Sequence, residues 1–81
     1  MTLDDAALDQ AVSVEDIRDL SDQDLACLFG MGLRLGSRVT KIISTPLRDP
    51  VECLVGPQLL AVEKRLFKHI HVKPLILISP N

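Results

Sequence analysis

The sequence predicts a mostly β domain: a small, curled, largely antiparallel barrel of about five short strands. One short helix follows the first strand, and a helical turn precedes the last. Three observations lead there. Five short stretches rich in Val, Ile, Leu or Thr are set apart by Gly, Pro or Asp. A single well-capped stretch repeats its apolar residues at helical spacing. And 81 residues leave room for one domain only.

Ala11 to Ile17, AVSVEDI, alternates Val12 and Val14 with polar residues and reads as the first strand. Ser21 and Asp24 then form a capping-box pattern, in which each side chain reaches a free backbone N–H. Leu25, Leu28 and Phe29 follow at i, i+3 and i+4, which predicts a helix near residues 22–31 with these three turned to the core. Gly30 and Gly32 end it, because the residue just past a helix commonly takes positive φ. Leu33 to Gly36 is a turn, and SRVTKIIST is a β-branched second strand. PLRDP supplies a hairpin connection, VECLV the third strand, GPQ a break and LLAVE the fourth strand. KRLFKHI gives one helical turn, with Leu66 and Ile70 four apart, and HIHV returns as the fifth strand.

Composition narrows the possibilities further. A hydrophobic fraction of 47% suffices for a packed core, although a chain this short has a thin stability margin. Phe29 and Phe67 are the only aromatic residues, so the core is expected to be aliphatic. No apolar run approaches the ~20 residues that span a bilayer, and the acidic start at Asp4 and Asp5 is the opposite of a basic signal peptide. Both features point to the cytosol. Cys27 and Cys53 read as free thiols in that compartment, with their pairing left open. Residues 1–24 sum to −7 and residues 25–81 to +5. Such asymmetry fits either internal complementarity or a basic body that meets an acidic partner or a lipid surface.

Three of the four glycines fall in FGMGLRLGSRV, as Gly30, Gly32 and Gly36. A phosphate-binding loop needs a strand before it, a helix after it and a Lys for the phosphates. Here the order is reversed, and Ser37-Arg38 stands where Gly-Lys is required. The glycines are read as structural.

Met31, Gly32, Leu33, Gly36 and Val39 together resemble the signature of the ferrous iron transport protein A family, FeoA. PLRDPVE resembles that family's PLGDPIE hairpin, GPQLLAVEK its following strand, and HIHV its closing strand. The resemblance runs from about Ala11 to Val72, with 73–81 as an apolar tail. It implies an SH3-like β-barrel in the cytosol that assists FeoB, the membrane ferrous-iron transporter with a GTPase domain. The protein is then recruited to the inner face of the membrane without inserting into it. A similar domain ends some iron-dependent repressors, so the second expectation is an iron-sensing regulatory domain with a DNA-binding partner. Some positions depart from the pattern. The usual Gly ahead of the first strand is absent at Asp9-Gln10, Arg48 stands at the hairpin's Gly, and Glu63 replaces an Arg.

No catalytic constellation is placed by the sequence, and no cofactor is implied. Arg34, Arg38 and Arg48 lie in or near turns, from which an arginine can reach a partner GTPase. His69 and His71 are the only metal-ligand candidates, but two imidazoles fall short of the three or four ligands that transition metals want. Capture of Pro-rich peptides lacks its aromatic groove, and nucleic acid lacks net basicity and stacking residues. What remains is an adaptor whose docking site is predicted around Cys27, Met31, Arg34 and Arg38. There apolar and Arg side chains mix just after the helix. Self-association through an edge strand or the tail from Leu75 to Ile78 is a further expectation.

Overall fold

The structure, a computed structural model, describes residues 1–44 and 49–75. The elements follow the predicted order: β1 (Ala11–Ile17), α1 (Asp22–Gly30), β2 (Arg38–Ser44), β3 (Val51–Val55), β4 (Gln58–Val62), a 3-10 helix (Lys64–His69) and β5 (Ile70–Pro74). The PLRDP connection, with Arg48, and the tail beyond Leu75 lie outside the described residues, apart from Asp49 and Pro50.

All five strands form one antiparallel sheet in the order β4-β3-β2-β1-β5. Register shifts between Val14 and Asp16 and between Lys41 and Ile43 insert an extra residue into β1 and β2. Such bulges curl a sheet. Among the described residues no pairing joins β4 to β5, so the sheet is curled but open where the sequence predicts a barrel. The far side of β5 is occupied instead by the chain's own start. Leu3 N–H donates to the Ile70 carbonyl at 2.8 Å, Val72 N–H donates to the Met1 carbonyl at 2.9 Å, and Thr2 bridges to His71.

The concave side of the sheet carries the core. Val12 and Val14 of β1, Val39 of β2, Val51, Cys53 and Val55 of β3, Val62 of β4 and Ile70 and Val72 of β5 are all buried. Leu28, Leu33, Leu66 and Phe67 cover them, and Leu3 and Ala6 fill the remaining flank. The core is therefore aliphatic except for Phe67, which is 1% exposed. Lys41 is 9% exposed, with Nζ 5.5 Å from the Phe67 ring centroid and 3.4 Å from the Asp4 carbonyl oxygen. The cation thus lies over an aromatic face while its head reaches toward a backbone acceptor.

Asp9, in the Asp9-Gln10 pair where the resemblance expects a Gly, holds the left-handed conformation at φ 65. Asp is among the few residues that tolerate this region. Its N–H donates to the Lys41 carbonyl at 2.7 Å, which ties the N-terminal residues to β2.

Candidate functional site

The segment that the sequence singles out is built on the end of α1. Ser21 caps its start, with Oγ accepting from Asp24 N–H at 3.1 Å. The reciprocal half of the capping box is not made. Asp24 instead binds the Arg65 guanidinium through both carboxylate oxygens, at 2.9 and 3.0 Å. Arg65 also reaches Glu63 at 2.6 Å, so the acid that replaces the family's Arg gains a local partner. The Arg65 hydrogen bond holds the Asp24 carboxyl below its ordinary range, and the two carboxylates raise Arg65.

The helix ends in a Schellman arrangement. Leu33 N–H donates to the Leu28 carbonyl at 3.0 Å and Gly32 N–H to the Phe29 carbonyl at 2.9 Å, with Gly32 at φ 90. Leu28 and Leu33, the pair that this motif brings together, are both fully buried. Gly30 stays helical, so Gly32 alone supplies the reversal. Next comes a tight turn, Arg34 to Ser37, closed by Ser37 N–H on the Arg34 carbonyl at 3.0 Å, with Gly36 at φ 86. Gly36 N–H and the Ser37 carbonyl bond to Val14 of β1 at 2.8 and 2.9 Å. These bonds lock the turn to the sheet.

The inward face of α1 differs from the predicted one. Leu28 is its centre, flanked by half-buried Asp24, Leu25 and Met31 at the preceding and following turns. Phe29 is 45% exposed rather than buried. It lines an open hollow of about 420 Å³ with Arg34 and Leu35, the latter 64% exposed. Cys27 and Met31 belong to a second hollow of about 240 Å³, shared with Asp24, Pro50, Ala61, Glu63, Arg65 and Leu66. Met31 also packs against the core. Arg38 starts β2, opposite Ser13. The four predicted docking residues thus divide between two hollows and a strand end. The exposed aromatic beside Arg34 is the residue that the sequence reading assigned to the core.

The cysteines are both free, Cys27 exposed and Cys53 buried. Burial pushes the Cys53 thiol up to about 11. A thiol that is both protonated and enclosed is unreactive. Ellman's reagent is therefore expected to titrate one thiol rapidly in the native protein and the second only on unfolding. Two fast thiols would contradict the enclosed position of Cys53.

His69 ends the 3-10 helix, and its Nδ1 lies 3.1 Å from the Arg18 carbonyl oxygen, an acceptor that fixes this nitrogen as the donor. His71 lies on β5 opposite Asp16. Both are half-buried. Among the described residues no three His, Cys, Asp or Glu side chains converge on a metal-sized site. Anaerobic Fe(II) titration is expected to show no stoichiometric site of micromolar or better affinity. Such a site, lost in both His69→Ala and His71→Ala, would overturn this expectation.

Curled antiparallel sheet, capped helix and anchored turn define a small SH3-like domain. The family model of the FeoA domain matches residues 1–74, and the chain belongs to this family. The match also takes in the first ten residues, ahead of the stretch from Ala11 to Val72 that carries the sequence resemblance. A zinc complex of FeoA from Stenotrophomonas maltophilia, described as a procaryotic SH3 domain protein, is 26% identical with a TM-score of 0.72, over 90% of this chain and 89% of that one. FeoA from Chlorobium tepidum is 22% identical at a TM-score of 0.84, over 94% and 71%. Iron(II) transport protein A from Clostridium thermocellum is 23% identical at 0.81, over 93% of this chain, which spans 46% of that protein's length. No curated protein is similar in sequence to the chain. Among the described residues no helix is long and apolar enough to cross a membrane.

Proposed function

We propose that this protein is a non-enzymatic accessory factor of ferrous iron uptake that works at the inner face of the membrane by docking on the cytosolic GTPase region of FeoB. The FeoA domain match over residues 1–74 carries the assignment to the pathway. The Stenotrophomonas relative is itself described as a candidate activating factor of ferrous iron transport, which agrees with an accessory role. The mode of action is read from the end of α1. Phe29, Arg34 and Leu35 stand exposed around one hollow, on a turn held rigid by its bonds to β1. Cys27 and Met31 line the second hollow, and Arg38 starts β2. An exposed aromatic next to an arginine is the composition of interface hot spots, and a pre-ordered backbone lowers the entropy cost of binding. The immobilised cytosolic region of FeoB is expected to retain the protein, and added guanine nucleotide is expected to change the retained amount. Failure to bind in every nucleotide state would sink this reading.

A further inference from the structure

The two edges of the sheet are treated differently. The β5 edge is covered by residues 1–3, through the backbone bonds of Leu3 and Val72. Along β4 no described strand pairs on the outer side. Edge strands are usually protected by charge, a bulge or an internal proline, since bare N–H and C=O groups invite another strand. From Gln58 to Val62 there is no charge, no proline and no register shift against β3.

Which groups face outward follows from the hydrogen-bond alternation. Gly56 N–H donates to the Arg38 carbonyl at 3.0 Å, so the even-numbered residues of β3 bond toward β2 and the odd-numbered ones toward β4. The turn at Gly56 and Pro57, with Gly56 at φ 58, has the sense of a two-residue type II′ hairpin, which closes on a bonded pair of Val55 and Gln58. Both arguments agree. The amides and carbonyls of Leu59 and Ala61 therefore point away from β3, and among the described residues no strand takes them up.

We propose that this edge is a self-recognition surface, on which β4 of a second copy pairs antiparallel about a twofold axis through Leu60. In that register Leu59 of each copy faces Ala61 of the other as a bonded pair, and their outward groups satisfy one another in four hydrogen bonds. Large meets small on the convex side. Leu60, half-buried at the rim of the core, meets its own copy and closes that rim. Beyond the strand, Glu63, Lys64 and Arg65 fall opposite Pro57, Gly56 and Val55, so no like charges meet. A neutral, self-matching strand selects another of its kind, whereas a charged partner strand finds no counter-charge on β4. Leu54 lies opposite Leu59 on the exposed face, at 38% and 57% exposure, so pairing also joins two leucine pairs into one continuous strip. An interface this small belongs to the transient class.

The dissociation constant is expected on the order of 100 μM. Sedimentation velocity of the full chain should show monomer at about 5 μM and mostly dimer at about 1 mM. Ala61→Pro removes an amide that has no backbone partner among the described residues, and Leu59→Lys installs an edge charge. Each should weaken the dimer at least about tenfold while leaving the circular dichroism unchanged. Amide exchange of the unaltered protein is the second measurement. Leu59 and Ala61 should be protected at high concentration and open at low. A monomer at 1 mM, a dimer indifferent to both substitutions, or open amides in the dimer each overturn the proposal. Protection of both amides at low concentration also overturns it, because the edge is then already paired within one copy.

Discussion

Leu3→Ala is expected to lower the thermal midpoint by at least about 10 °C, a large effect for the third residue of the sequence. Leu3 is fully buried, and its N–H bonds to the Ile70 carbonyl. Truncating a buried Leu to Ala costs about 2–5 kcal/mol, through lost transfer energy and the cavity left behind. A domain of 81 residues has roughly 4–12 kcal/mol in total, so the loss takes a large share of it. The backbone bond to β5 survives in the variant, so the effect isolates the side chain. Leu8→Ala is the control, because Leu8 is 53% exposed and its truncation should change stability by less than about 0.5 kcal/mol. If the two variants melt together within two or three degrees, the N-terminal residues do not belong to the core.

The succession of elements along the chain was legible because each strand has its own signature. β1 and β3 have the predicted bounds, and β2, β4 and β5 differ from theirs by at most two residues at either end. The N-terminal residues were not legible. Asp4 and Asp5 dominate their composition, and the two anchors, Leu3 and Ala6, are too few to show a period. Once the fold is in view, the three-residue spacing of these anchors makes sense, since it puts both on one side of a turn with the acids outward. Helix orientation failed for a related reason. In a helix of nine residues, Leu25, Leu28 and Phe29 fit one face, yet Asp24, Leu25, Leu28 and Met31 fit it equally well. Periodicity treats Asp24 as an outward residue. Its ion pair with Arg65, forty-one positions away, lets it lie partly inside and rotates Phe29 out to solvent. Long-range pairing of this kind leaves no trace in local spacing. Openness of the sheet was equally hidden, because it depends on which segment takes the outer side of β5.

Phe29→Asp combined with Arg34→Glu is expected to abolish FeoB-dependent ferrous iron uptake and to lower retention on the cytosolic region of FeoB at least about thirtyfold. Both side chains are exposed, and neither bears on the Schellman bonds or on the type of turn that Gly32 and Gly36 require. The thermal midpoint should therefore stay within a few degrees of the parent. Met31→Asp would be a poorer choice, because Met31 packs against the core and its loss of binding could come from unfolding. Separate substitutions assign the contributions. Phe29→Asp removes the aromatic anchor and places a charge at its site, which chiefly speeds dissociation. Arg34→Glu reverses a charge at the rim, so its effect should lie mainly in the association rate and fade at high salt. Lys73→Glu is the matched control, an exposed cation on β5 whose reversal alters net charge equally. A general attraction between a basic body and an acidic partner predicts equal losses for Arg34→Glu and Lys73→Glu. Docking at the helix end predicts a loss for Arg34→Glu alone. Uptake that survives the double substitution moves the contact away from this hollow. A double variant that fails to fold instead makes Phe29 part of the packed structure, the role its spacing first gave it.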